Sequence, residues 1–536
     1  MTTPLLHIDP SPTALAGTAG TPARAVESRD PATGEVWRRY EAPQSASVVH
    51  AVETARRAQA SWAATPVGDR ARIIERFRHV LVARRLEVAT IICRENGKPV
   101  GEALATEVLV ALDYAQFFAK LAPKRLAPRV APSLTLSSIL KKVRIEYRPH
   151  GVVGVISPWN YPFQLAAGVV LPALVAGNAV VLKPSEFTPT SGVILGELLR
   201  QAGLPEGVLQ VVPGDGLAGA ALVAAGVNRV SFTGSVATGR RVAAACAAML
   251  IPCSLELGGS DPAIVLDDAD LVRAARGIVW GRFSNAGQTC VAPKRVFVEA
   301  GVFDRFASAI AHEVEQLRMG PGSVPGTEVG PMIRDAQVTI LLAQLHDAVA
   351  RGATVVARAA VNGLRESSYF APTVITNVTP EMRVMHEETF GPLLPLVKVA
   401  DEEEAIRLAN HSDFGLSASV WSGSAARGRR VAARIEAGTV AVNDVTIVAG
   451  MANVPHGGVK SSGLGRSHGE AGLLECVEPR VIVTDRLASA RQLWWFRYGA
   501  THVADSDTVI LAMHGATLLE KARAALRLLG LLRRGA

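Results

Sequence analysis

The sequence predicts an α/β protein built on a parallel, doubly wound sheet, with a second α/β region behind it. Three observations carry this expectation. A chain of 536 residues is too long for one hydrophobic core. Between Gly151 and Leu257, short apolar β-rich runs alternate with amphipathic stretches, as strands joined by crossover helices do. Beyond Ser260 the same alternation resumes and continues to about Ala437, which implies a separate core.

Taken in order, the first 29 residues lack a basic segment followed by an apolar core, so they read as a loose arm rather than a targeting signal. Residues 45–122 carry helical periodicity, with Val48, Val52, Ala55, Ala58 and Trp62 spaced along one buried face. Residues 133–147 alternate instead (Leu134, Leu136, then Val143, Ile145, Tyr147) and predict a strand or hairpin of the kind that serves assembly. Strands are expected at 152–156, 179–182, 208–212, 229–232 and 254–257, then at 263–266, 295–299 and 418–421. The tail from Leu487 carries an aromatic cluster, Leu493-Trp494-Trp495-Phe496, and a leucine-rich helix over 517–534 bearing Lys521, Arg523, Arg527, Arg533 and Arg534. Packing of that helix on the protein's own surface or on a subunit neighbour is the expected arrangement, with membrane-surface contact as the alternative.

Composition excludes several function classes. Hydrophobic residues make up 49% and charged residues only 19%, with 48 Gly and 31 Pro, which describes a globular chain with many tight turns rather than a disordered one. The net charge of +8 is spread along the chain without a nucleic-acid-binding motif, so no nucleic-acid partner is expected. Five irregularly spaced cysteines (Cys93, Cys246, Cys253, Cys290, Cys476) argue against a disulfide framework or a structural zinc site. They favour a reducing, cytoplasmic setting without a metal. No stretch reaches the length of a membrane span.

Chemistry concentrates at a few turns. Cys290 closes the run Phe283-Ser284-Asn285-Ala286-Gly287-Gln288-Thr289-Cys290, and Glu256 precedes Leu257-Gly258-Gly259. A thiolate attacks an electrophilic carbon, and a carboxylate in a partly apolar pocket can activate the water that later releases an acyl group. Taken singly, the thiol could be an inert buried one and the glutamate a helix cap. Asn160 lies between two prolines in Ser157-Pro158-Trp159-Asn160-Tyr161-Pro162, where its amide is held ready to donate to an oxyanion together with the Cys290 N–H. Lys183 and Glu186, after the strand at 179–182, stand at the carboxyl edge where parallel sheets bind ligands, and suit the hydroxyls of an adenosine ribose. A 2′-phosphate would meet the charge of Glu186, so NAD is expected, with NADP as the alternative. Thr233-Gly234-Ser235 leads into a helix whose free N–H groups face phosphate.

The order and spacing of these boxes resemble the aldehyde dehydrogenase superfamily over roughly residues 30–483. Glu388 and Phe390 in Glu387-Glu388-Thr389-Phe390-Gly391-Pro392, together with Asn443 and the run from His456 to Arg466, complete the resemblance. It implies a non-phosphorylating, NAD(P)-dependent enzyme with a Rossmann-type cofactor domain (27–132 and 149–258), an α/β catalytic domain (259–476), a small β oligomerisation element (133–148 and 477–486) and a C-terminal extension (487–536). It also implies a homodimer or homotetramer. Cys290 would be the nucleophile, Glu256 the base and Asn160 the oxyanion donor. The cofactor would be held by Ile156, Ser157, Pro158, Trp159, Lys183, Ser185, Glu186, Gly214, Phe232, Thr233, Gly234, Ser235 and Leu257, with Glu388 and Phe390 on the nicotinamide side. The aldehyde would be lined by Tyr161, Phe283, Thr289, Val291 and His456.

Two positions depart from the family pattern. Many relatives carry phenylalanine where His456 stands, so a polar or pH-sensitive substrate entrance is expected. Some relatives place an acidic residue after the arginine matched by Arg466; here Ser467 stands there, leaving Glu256 as the evident base. The rival readings are an acylating enzyme that hands its acyl group to coenzyme A, a cofactor-free cysteine (thio)esterase, and a non-catalytic binding role through the tail. Low aromatic content suggests an aliphatic aldehyde or a semialdehyde as substrate.

Overall fold

The computed structural model describes residues 25–132, 141–361, 363–486, 494–496 and 498–534. The expectations for the N-terminal arm before residue 25, for Leu134 and Leu136, and for residues 487–493 lie outside the described residues.

Four nearly consecutive helical segments open the chain after a β-hairpin (Ala25–Arg29 with Val36–Glu41): Ser45–Ala64, Val67–Ala83, Arg85–Asn96 and Leu109–Arg125, with a π-helical turn at Leu104–Val108 before the last. Val48, Val52, Ala55 and Trp62 are buried along one face of the first, and Ala58 is half-buried. Arg85–Asn96 ends at Gly97, whose φ of 93° closes the helix in the left-handed region.

A six-stranded sheet follows. Its strands lie in the order Gly463–Leu464, Cys253–Glu256, Arg229–Thr233, Val152–Ile156, Ala179–Lys183, Leu209–Val211. All pairs are parallel except that of Gly463–Leu464 with Cys253–Glu256. The order reverses beside Val152–Ile156, so the carboxyl ends at Ile156 and Thr233 flank a crevice of the kind that takes dinucleotides. The period-two rule sorts the side chains: Val153, Val155, Val180 and Leu182 pack into the core made with the N-terminal helices, while Val152, Ile156, Val181 and Phe232 fill the opposite face.

The second sheet has seven strands in the order Thr354–Arg358, Thr373–Thr376, Leu393–Val399, Pro293–Glu299, Asp261–Val265, Ser417–Trp421, Thr439–Val442. Its hydrophobic cluster contains only residues from Ala263 to Val445, as the separate core predicted from the sequence requires. A three-stranded antiparallel sheet pairs Val477–Asp485 with Lys141–Pro149 and the latter with Arg129–Val130. Two differences from the sequence reading concern these boundaries. Gly463–Leu464 comes from the stretch given to the second region yet completes the first sheet, and Arg129–Val130 from the first region joins the three-stranded one. Backbone edges decide both, because a two-residue pairing leaves almost no hydrophobic pattern.

Candidate active site

Asn160 sits in the loop after Val152–Ile156, and a buried ion pair fixes that loop. Lys98 Nζ donates to Glu107 Oε1 at 2.7 Å and to the Asn160 carbonyl at 3.0 Å, and stands 3.6 Å above the Tyr161 ring. Glu107 Oε2 in turn accepts the N–H groups of Phe163 and Gln164 at 2.9 and 3.0 Å. With both charges fully buried, each is held only because the other and the backbone satisfy it. The Asn160 carbonyl also accepts from Asn285 Nδ2 at 2.7 Å, and Asn160 Nδ2 donates to the Gln288 carbonyl at 3.0 Å. A carboxamide has two N–H groups, so one remains for a ligand.

The same bonds tie the asparagine loop to the cysteine turn. That turn is strained: Asn285 and Ala286 both have φ 52° and ψ 34°, a left-handed pair that non-glycine residues adopt only where the surroundings insist. Gln288 insists, donating from Nε2 to the Asn285 carbonyl at 3.0 Å while its Oε1 accepts from Ile333 N–H at 3.0 Å. Gly287 has φ 72°, and a methyl there would overlap the Gly391 carbonyl. Lys294 Nζ, fully buried, donates to the carbonyls of Thr289 and Cys290 at 3.0 and 2.6 Å. Burial pushes the Cys290 thiol up to about 12; the Lys294 charge opposes this, while Asp261, Glu388 and Glu256 add to it.

Glu256 ends the strand Cys253–Glu256. Its Oε1 accepts from Ser467 Oγ at 3.1 Å, and its Oε2 is buried with no protein partner among the described residues. Burial raises its pKa to about 8, against the pull of the Ser467 hydroxyl and the Arg466 charge. Ser467 is placed by a two-bond bridge to His456, each N–H donating to the other's carbonyl at 2.8 Å. A carboxyl of this strength, with one oxygen fixed and one uncommitted, is suited to take a proton from water near neutral pH.

At the crevice, Lys183 is buried with its ammonium 3.5 Å from Glu186 Oε2, and burial lowers its pKa. Ser157 Oγ is buried without a partner among the described residues, and its N–H donates to the Lys183 carbonyl at 3.1 Å. Gly234 follows Thr233, and Ser235 caps the helix Val236–Ala248 by accepting from Thr238 N–H. Ile156 and Phe232 are buried in the sheet face below, with Leu257 packed into the same cluster. Ser185 is buried and accepts from Phe187 N–H at 3.3 Å, and Gly214 lies against Pro43 and Ala218. Glu388 Oε1 accepts from Gly259 N–H at 3.0 Å and lies 3.8 Å from Lys294; a methyl at Gly258 would overlap its carboxylate. The Phe390 ring meets Trp159 edge-on at 5.4 Å, beside Pro158.

The residues expected to line the substrate divide. Tyr161 Oη and Thr289 Oγ1 share a hydrogen bond at 2.9 Å, one residue before Cys290, and Val291 is buried just after it. Phe283 borders a cavity of 590 Å³, with Glu102, Thr106, Trp280 and Ser284, that none of the other four lines. His456 is only 5% exposed and stacks on His468 at 5.6 Å; His468 Nε2 lies 2.8 Å from Tyr114 Oη. Burial, with the Arg466 charge, lowers the His456 pKa to about 4, which speaks for the polar rather than the pH-sensitive form of the expected entrance.

Sequence reading passed over three supporting residues. Lys294 stands four residues after Cys290 in the strand Pro293–Glu299, which also carries Arg295 and Glu299 and is buried at every position, so its cation must find buried acceptors. Lys98 lies in the link after the helix Arg85–Asn96 and Glu107 in the π-helical turn, where nothing local marks them as a pair that braces a loop more than fifty residues away.

Among the described residues no cluster of His, Cys, Asp and Glu suits a metal ion, and no helix is long and apolar enough to cross a membrane. The family model for aldehyde dehydrogenases matches residues 18–482. The chain is 39% identical over 471 residues to a 4,4'-diapolycopene aldehyde oxidase of Methylomonas sp, covering 88% of each. It is 38% identical over 475 residues to a putative succinate-semialdehyde dehydrogenase [NADP(+)] 2 of Mycobacterium bovis, covering 88% of this chain and 91% of that one. Among solved structures it superposes on a Mycobacterium tuberculosis aldehyde dehydrogenase complexed with NAD+ with a TM-score of 0.82 and 33% identity, covering 87% of this chain and 95% of the other. An aldehyde dehydrogenase from Brucella melitensis biovar abortus 2308 gives 0.81 and 36%, covering 86% and 94%. With the two sheets, the crevice and the asparagine, cysteine and glutamate turns in place, the chain belongs to the aldehyde dehydrogenase family.

Proposed function

We propose that this protein oxidises an aldehyde to its carboxylate with NAD(P)+, carrying the acyl group on Cys290. One observation supports this above the others: Asn160 is bonded to the backbone of the cysteine turn, and Glu256 lies near enough for its charge to act on the Cys290 thiol while keeping one oxygen free. Cys290 Sγ adds to the carbonyl carbon, and its proton passes to a base as the bond forms, since burial keeps the resting thiol protonated. The spare Asn160 N–H and the Cys290 N–H take the oxyanion. After oxidation the thioester carbonyl uses the same donors, and Glu256 Oε2 removes a proton from the attacking water. Lys294 fixes both carbonyls of the turn by donating to them.

A dinucleotide fits the crevice on the chemistry of its donors: the partnerless Ser157 Oγ, the capped helix end at Ser235 and the Lys183–Glu186 pair. When bound, its nicotinamide supplies the hydride acceptor. Glu186 supports NAD over NADP. We assign the cofactor to residues 27–132 and 149–258, catalysis to 259–476 and subunit joining, as a homodimer or homotetramer, to 133–148 and 477–486. Five free cysteines support a cytoplasmic setting. The relatives are named for a polyene aldehyde and for succinate semialdehyde, so an aliphatic aldehyde or semialdehyde is the substrate class to test first. Cys290→Ala should abolish aldehyde-dependent NADH formation while NAD+ still quenches intrinsic fluorescence; undiminished turnover would refute the assignment. An acyl-coenzyme A product would instead favour the acylating reading.

A further inference from the structure

The tail beyond the family match presents apolar side chains that the other described residues do not cover. In the helix Leu518–Arg534, Leu518, Ala522, Ala525, Leu526 and Leu529 recur at helical spacing and fall on one face, with Leu519 at its edge. All are exposed: Leu518 is 86% accessible and Leu526 70%, with Leu519 and Leu529 above half. Packing against the neighbouring helix His502–His514 is done by a different side, where Ala524 is buried and Leu528 half-buried. Arg523 and Arg527, four apart and exposed, run along the border of the leucine face beside Leu519 and Leu526, away from the packed side of Ala524 and Leu528. Of the two arrangements expected for this helix, packing on the protein's own surface or on a subunit neighbour, its leucines do not make the first within the described residues of one chain. Trp494, Trp495, Phe496 and Tyr498, just before the hairpin, are also exposed, Phe496 to 85%.

We propose that this C-terminal helical hairpin docks the enzyme on an anionic bilayer surface, with the leucine face and the aromatic residues in the headgroup region and the flanking cations on lipid phosphates. Charge complementarity selects this occupant. Seventeen residues from Leu518 to Arg534 hold five cations (Lys521, Arg523, Arg527, Arg533, Arg534) against one anion, Glu520. An interfacial helix combines such a basic face with a leucine stripe, and tryptophan and tyrosine settle at the water boundary. A protein interface core, by contrast, is depleted of charge. The helix lies on the surface rather than crossing it, being too short and too charged to span. Docking requires no contact with the catalytic turns, so it stands whether or not the catalytic assignment holds.

Sedimentation of the full chain with vesicles of phosphatidylcholine alone, or of about three parts phosphatidylcholine to one part phosphatidylglycerol, tests this. Binding is expected to the anionic vesicles, to weaken in high salt, and to fall ~10-fold or more in L526E/L529E and in R523E/R527E, with turnover of a short soluble aldehyde unchanged. Failure of the intact chain to sediment with anionic vesicles overturns the proposal, as does binding of both variants at the level of the parent chain. If L526E/L529E instead lowers the oligomeric state in velocity sedimentation and leaves vesicle binding untouched, the face belongs to a second copy and the proposal is wrong.

Discussion

Replacing Ser467 with Ala removes the hydroxyl that holds Glu256 Oε1 at 3.1 Å. A hydrogen bond to a charged acceptor contributes about 1.5–3 kcal/mol, and it favours the carboxylate over the acid. Each pH unit corresponds to about 1.4 kcal/mol, so losing the bond moves the titration of Glu256 upward by about one to two pH units from about 8. The sign follows from the chemistry: only the carboxylate can activate water, so activity is lost on the acid side and recovered on the alkaline side. At pH 7 roughly one carboxyl in ten is ionised in the native enzyme, and roughly one in a hundred to one in a thousand in the variant. Stopped-flow measurement of NADH should then show a burst of about one equivalent per site, followed by a steady rate ~10–100-fold slower at pH 7 than that of the parent. The steady rate should climb toward the parent value above pH 9, and Ser467→Thr should restore most of it. A steady-state pH profile for S467A that superimposes on the parent's would refute the reasoning, because Glu256 would then owe nothing to the hydroxyl.

Asn160→Ala should lower kcat by ~10²–10³, the usual cost of one oxyanion donor, with NAD+ affinity by fluorescence titration unchanged. Lys98→Met strands the fully buried Glu107 charge and should destabilise the protein by about 3–5 kcal/mol in urea unfolding, part of which the K98M/E107Q double variant should return. Glu186→Gln removes the carboxylate 3.5 Å from Lys183 and should raise kcat/KM with NADP relative to NAD by ~10-fold; an unaltered ratio would mean that Glu186 does not face the ribose.

The first sheet was legible because Val152–Ile156 and Ala179–Lys183 are short apolar runs buried at every position and closed by turns, and Arg229–Thr233 and Cys253–Glu256 lead into glycine-bearing turns. The second was legible only in part. Thr354–Arg358 is largely exposed and Thr439–Val442 half-buried throughout, so neither carries a clear period. The chemistry-bearing turns announce themselves through glycine and proline, which the backbone needs at Gly287 and on either side of Asn160. What braces those turns does not. Lys98, Lys294 and Ser467 act through contacts whose partners are distant in sequence or are backbone carbonyls, and neither kind leaves a mark on local composition.

The antiparallel pairing of Gly463–Leu464 with Leu255 and Glu256 has a consequence for biosynthesis. The strand bearing the proton acceptor is among the earlier parts to leave the ribosome, yet its outer edge and the serine that steadies it arrive some two hundred residues later. A nascent chain can assemble much of its nucleotide crevice before then, but it has no finished hydrolytic apparatus until translation has passed Ser467. On the proposed mechanism, polypeptides released early would keep Glu256 without the hydroxyl of Ser467 and would shed an acyl group from Cys290 only slowly near neutral pH.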